Sequence, residues 1–314
     1  MDARRAQDLL KHITQDEDYG LKAMQKASLA ECISMVNNVL PECQKKAYED
    51  GNDNDAGFFS KMTENYRALI IDKIKEENLL WIAYTDLTGY PYMIDGDMIV
   101  IYDFAAAKQI EADLNKAGFG NVDKDAFKTE IAHMYRNGYK KIRFMDGKME
   151  PFVVEREELY PYEEFFKDDY ITNPGLQAAM LNYFQEFRKQ APLENRGDIL
   201  KRREQIMIDM MLNAEYMVPC VKEETEEEVE ISHHFIDITD RVTEKEEGEH
   251  VIAIPVFTDG FEMDKCYEGH HENMLYKFDE LVSLMDELGA SGIIINCLGI
   301  SYFMRTALMK KILK

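Results

Sequence analysis

An apolar ladder that occurs twice with one spacing constrains this chain more than any other feature. Phe127, Ile131, Met134, Gly138 and Ile142 recur in the same steps as Phe278, Val282, Met285, Gly289 and Ile293. Steps of four and three residues put the first three on one helical face. A glycine then ends the helix by adopting left-handed backbone, and a short loop and strand follow. Any amphipathic helix capped by glycine shares this spacing. The order of elements around each ladder also repeats, which tips the reading toward a diverged duplication. The class that follows is α+β: two mixed-sheet helix/strand modules behind a helical N-terminal segment.

Reading along the chain divides it into residues 1–65 (helical), 66–160 (first α+β module), 161–198 (helical connector) and 199–314 (second module). In the first segment Leu29, Ile33, Val36 and Leu40 step helically, and Pro41 is expected to close that pattern. A long amphipathic helix is expected from about 58 to 77, then strands at 79–84 and 98–102 around the turn signals Thr88-Gly89-Tyr90-Pro91 and Asp95-Gly96. Helices are expected at 105–116 and 126–137, separated by a break at Gly118-Phe119-Gly120, and strands at 140–144 and 152–154 around Asp146-Gly147. The second module repeats the order, with a helix at 199–213 and strands at 215–218 and 251–256. Between those strands the glutamate runs at 223–228 and 244–249 read as a solvated excursion, with an acidic docking patch as the alternative.

Composition removes several functions. Sixty Asp and Glu against 37 Lys and Arg leave a net charge of -23, a field that repels phosphates and anionic headgroups. Nucleic acid and membrane are therefore not expected partners. Five cysteines without a C-x-x-C pair indicate neither a disulfide framework nor a zinc ribbon. With no apolar leader and no run of about 18 apolar residues, a cytoplasmic protein is expected.

Motifs that resemble reactive sites each miss a requirement. Cys266 and His270 stand at i, i+4 but lack a second ligand pair, and His233-His234 would point apart on a strand. Asp50 to Asp55 imitates a calcium loop, yet its sixth position is Asp55 and its twelfth Lys61. Asp86, Asp95 and Asp97 fit turn chemistry better than a carboxylate pair. Gly289-Ala290-Ser291-Gly292-Ile293 precedes a strand where a nucleophile elbow should follow one. No phosphate-binding glycine loop is complete. The last helix, expected over 302–314, reads as a docked terminal helix. No catalytic residue, cofactor or metal is expected.

The stretches Asn213-Ala214-Glu215-Tyr216-Met217-Val218-Pro219, Ile254-Pro255-Val256-Phe257-Thr258 and Gly292-Ile293-Ile294-Ile295-Asn296 together resemble the SseB N-terminal domain of the bacterial enhanced serine sensitivity family, over residues 199–314. Cys297 replaces the proline usual after the last motif. The first half matches loosely through Trp81 to Asp86 and Ile99 to Tyr102. The resemblance implies a bacterial cytoplasmic protein without an established enzyme activity, and it supplies no catalytic residues. Its motif residues Tyr216, Val218, Pro219, Pro255, Val256 and Phe257 read as structural. The two prolines are expected at strand ends or an edge, and Thr258 is expected to cap the following turn or helix. Asn296 reads first as a backbone-bonding turn residue. The functional expectation is a non-enzymatic interaction or regulatory protein with a protein partner, self-association being open. The alternative is a small-molecule sensor or enzyme linked to amino-acid metabolism, with Thr85, Asp86, Thr258 and Asn296 as contacts.

Overall fold

The computed structural model describes residues 1–103, 105, 110, 114, 117–147, 150–167, 171–189, 195–224, 229–243, 245–267 and 271–314. Two compact units are present. One comprises residues 1–84, 91–134 and 140–165, the other residues 85–90, 135–139 and 166–314. The class is α+β, with a helical N-terminus. Among the described residues no helix is long and apolar enough to cross a membrane.

The first unit begins with helices Ala3–Gln15, Glu17–Lys26, Leu29–Ser34, Leu40–Glu49 and Asp53–Glu76. Pro41 does not end the helical run, contrary to its sequence signal. A π-helical turn, Met35–Val39, precedes it and places it in the first turn of helix Leu40–Glu49, where a missing N–H breaks no intrahelical bond. The longest helix starts at Asp53, with Asn52 as its cap, accepting from Asp55 N–H at 3.2 Å. It buries Met62, Tyr66, Ile70 and Ile74 at the spacing that predicts one sticky face.

Seven strands follow: β1 (Leu80–Thr85), β2 (Tyr90–Pro91), β3 (Met93–Ile94), β4 (Asp97–Ile101), β5 (Ala117–Val122), β6 (Lys141–Met145) and β7 (Phe152–Glu155). They form a mixed sheet ordered β2-β1-β4-β6-β7, with β3 on β4 and β5 on β1. The expected helix at 105–116 lies mostly outside the described residues. Gly118-Phe119-Gly120 is not a break between helices but part of β5. Two glycines hide the strand from propensity, and a side chain at Gly120 would meet the Tyr84 ring at 2.9 Å.

The second unit carries β8 (Glu215–Glu224), β9 (Val229–His233), β10 (Ile236–Asp237), β11 (Ile252–Val256), β12 (Asn273–Lys277), β13 (Gly292–Ile295) and β14 (Tyr302–Arg305). These build a sheet β10-β11-β13-β14 and a smaller one β12-β8-β9. The acidic run therefore begins inside a strand, since Glu223 pairs with Glu230; residues 225–228 lie outside the described ones. The terminal segment opens as β14 before helix Thr306–Ile312.

The prolines of the motif sit within strands rather than at their ends. Cys220 N–H donates to Glu272 O, so alternation turns the nitrogen of Pro219 toward β9, beyond its last pair Cys220–His233. In β11 the odd-numbered residues face β10, whose pairing stops at Ile236–Ala253, and a bridge from Met217 to Phe257. Pro255 falls in the gap between. Neither proline removes a ladder bond, which is why a central position tolerates each.

The two units repeat one motif internally. In each, a parallel strand pair (β4 with β6, β11 with β13) continues into an antiparallel neighbour (β7, β14). Lys140 N–H to Gly96 O and Arg156 N–H to Lys140 O recur as Ser291 N–H to Ile252 O and Thr306 N–H to Ser291 O. The helices ahead of β6 and β13 stop at Gly138 (φ 75°) and Gly289 (φ 64°), and Ile142 pairs with Met98 as Ile293 does with Ile254. The duplicated ladder of the sequence is thus a duplicated arrangement.

Candidate functional site

In the second unit, β11 and β13 end side by side, where Asn296 N–H donates to Val256 O at 3.0 Å. The residues just beyond, Thr258, Asp259 and Asn296, are buried. Counted along the repeat, Tyr102, Asp103 and Met145 occupy these places in the first unit. The fold therefore stands without a Thr–Asn pair here.

Asn296 adopts φ 48°, a left-handed conformation asparagine enters more readily than most residues. Its Oδ1 accepts from Thr258 N–H at 3.1 Å, and its Nδ2 donates to Thr258 Oγ1 at 2.9 Å and Gln177 Oε1 at 3.1 Å. Gln177 comes from helix Pro174–Phe187. Asn173, just ahead of that helix, donates through Nδ2 to the Thr258 and Glu215 carbonyls, both at 2.7 Å.

Asp259 caps the short helix Gly260–Asp264, accepting from Glu262 N–H at 3.1 Å through Oδ1 and from Thr258 Oγ1 at 3.3 Å through Oδ2. The capping role expected of Thr258 falls to its neighbour, because the threonine hydroxyl is engaged with Asn296 and Asp259. Glu262 in turn receives Tyr90 Oη–H at 2.8 Å and Lys265 Nζ at 2.6 Å on a single oxygen. Arg136 lies 3.9 Å from Asp259 and stacks 3.6 Å from the centre of the Phe261 ring. Gly299 leaves room for this arrangement: a Cβ there would run into the Tyr90 hydroxyl and stand 2.5 Å from Glu262 Oε2.

Burial, helped by the Glu262 charge, raises the Asp259 carboxyl above the ordinary range, against the pull of Arg136. The folded state thus holds that proton more tightly than the unfolded chain, and the contribution of this group to stability falls as pH rises through the raised value. Asp259→Asn keeps the cap acceptor and removes the titration. Melting curves between about pH 4.5 and 7 are expected to show the variant gaining on wild type as pH rises. A difference that does not change with pH would refute the assignment.

Tyr90 is driven far above the usual phenol range by burial and then by Glu262, so it stays a hydrogen-bond donor. Thr258 Oγ1 beside Asp259 resembles a nucleophile beside a base, but both side chains are buried.

Of the four contacts read from the sequence, the structure brings two together. Thr258 and Asn296 come together and bond each other. Thr85 is buried at the end of β1, its hydroxyl accepting from Leu87 N–H at 3.2 Å, and Asp86 is exposed. Asp97 pairs with Arg143 at 2.7 Å. Tyr216, Val218, Val256 and Phe257 are buried, and Tyr216 Oη–H donates to Met211 O at 3.0 Å. His270 lies outside the described residues. Among the described residues no three His, Cys, Asp or Glu side chains are placed to share a metal ion.

Tyr90, Arg136, Asn173, Gln177, Asp259 and Glu262 carry no expectation of a site role from the sequence. Only Asp259 with Glu262, an N-cap followed three residues later by glutamate, leaves a local trace.

No family model, curated protein or solved structure matches the chain. Site chemistry alone therefore carries the functional argument. The second unit carries an open groove of about 420 Å³ with Ile238, Val242, Ile294, Phe303 and Leu308 as apolar lining and Arg241, Thr243, Ser301 and Arg305 as polar groups. Arg305 is held by Glu249 at 2.8 Å. Arg241 is exposed and makes no ion pair among the described residues.

Proposed function

We propose that this chain is a non-enzymatic, SseB-type interaction protein whose second unit binds a segment of a partner protein that pairs an apolar anchor with a carboxylate. One contrast carries the reading. Polar side chains at the strand ends are spent on one another in the interior, whereas the open groove is apolar with a guanidinium at Arg241. In a chain of net charge -23, an unpaired cation beside an apolar trough favours an acidic partner segment at that one place. The motif segments lie on β8, β11 and β13, where their apolar residues build the two sheets of the second unit, in keeping with a family resemblance that brings no catalytic residues. A bacterial cytoplasmic setting belongs to the same proposal.

Selection from a random peptide library is the test. Enriched peptides are expected to carry Asp or Glu next to Leu, Ile or Phe. Arg241→Glu should weaken them at least about tenfold, the scale of one charge-assisted contact, with an unchanged melting temperature. Enrichment of no peptides, or peptides that bind Arg241→Glu equally well, would overturn the proposal.

A further inference from the structure

Cys266 and Cys297 stand 31 residues apart in sequence, yet their sulfurs lie 3.0 Å apart in the second unit. A disulfide needs about 2.05 Å, so roughly an ångström of movement would join them. We propose that this pair is a redox-modification site, forming a reversible intramolecular disulfide on reaction with a hydroperoxide. This inference is independent of the groove proposal.

Position divides the roles. Cys266 follows helix Gly260–Asp264 and is partly exposed, while Cys297 is buried next to Asn296. All five cysteines are free thiols, and among the described residues neither Cys266 nor Cys297 has another thiol at this range. Burial, with Cys266 adding to it, pushes the Cys297 thiol up to about 12, which disfavours it as the first attacker. The Cys266 sulfur attacks one peroxide oxygen, the O–O bond breaks, and Cys266 becomes a sulfenic acid as the alcohol or water leaves. The Cys297 sulfur then attacks the sulfenic sulfur. Hydroxide leaves, takes the Cys297 proton and departs as water. Two thiols and one hydroperoxide yield one disulfide, one alcohol (or water) and one water. Two electrons pass from sulfur to oxygen. A dithiol reductant reverses the step by exchange.

The bond would tie the end of the helix that holds Glu262 to the loop that begins at Asn296. Both sulfurs belong to the apolar cluster that also contains Ile294, Val242 and Phe303, so oxidation would stiffen the floor of that face.

The test treats the full-length protein with one equivalent of hydrogen peroxide, alkylates it after denaturation and maps the peptides. The expected product lacks two hydrogens, links Cys266 to Cys297, leaves Cys32, Cys43 and Cys220 alkylated, and reverts with dithiothreitol. Its melting temperature should rise by about 5–10 °C, as a cross-link over a loop of this length implies. In Cys297→Ala, Cys266 sulfenic acid should accumulate and be trapped by dimedone. Cys266 recovered alkylated like the other three thiols, or linked to one of them, would overturn the proposal. Mapping the unmutated protein decides the matter even where the variant does not fold.

Discussion

Asn296→Ala is expected to lower the melting temperature of the second unit by about 10 °C or more, from three losses of about 1 kcal/mol or more each at ~2–4 °C per kcal/mol. The buried Thr258 N–H loses its acceptor, and Gln177 Oε1 and Thr258 Oγ1 lose their donor. Alanine must also hold φ 48°, which adds about 1 kcal/mol. Asn296→Gly separates the causes, since glycine tolerates the backbone but cannot supply the bonds. It should recover about 1 kcal/mol of the loss and no more. Calorimetry that places the alanine variant within about 2 °C of wild type would mean that water or a shifted side chain replaces the amide.

Gly292→Ala is expected to be comparably damaging, about 3 kcal/mol or more for overpacking against atoms that cannot yield. A Cβ at 292 would overlap Met304 O and come within 2.9 Å of the Met304 carbonyl carbon and 3.0 Å of Arg305 Cα. All three are backbone atoms of β14. Relief requires moving that strand away from β13 and weakening the pairs Ile293–Met304 and Ile294–Phe303. Lys141 holds the matching place of the first unit, opposite Glu155, and carries a full side chain there. Lys141→Ala is accordingly expected to leave the melting temperature nearly unchanged, because an exposed ion pair is screened by solvent. Equal melting losses for the two substitutions would show that the close approach of β14 is not what demands glycine.

How far the sequence reached differs between fold and site. Regular elements with a buried face were legible, because burial imposes a period of 3.6 or 2 on the apolar residues. Phe278, Val282 and Met285 announce their helix in this way. Residues 117–122 did not announce a strand, since glycines lower β propensity and the close approach of Tyr84 that requires Gly120 comes from elsewhere in the chain. Pro41 misled for a related reason. Its cost depends on its place within a helix, and the π-turn before it moved that place. For Pro219 and Pro255 the deciding fact was where the neighbouring strands stop, a property of pairing rather than of the segment itself.

At the site, Thr258 and Asn296 stood out as polar residues at the ends of apolar runs. Their partners left no such sign: Gln177 is 119 residues from Asn296, and Tyr90 is 172 from Glu262. Periodicity records the sided burial of each segment, so the α+β class, the twin ladders and the acidic balance were determined by the sequence alone. Hydrogen bonding between buried side chains records which segments meet. Only the tertiary structure decided that Asn296 bonds Thr258 and Gln177, that Asp259 shares its surroundings with Glu262, and that Cys266 lies against Cys297.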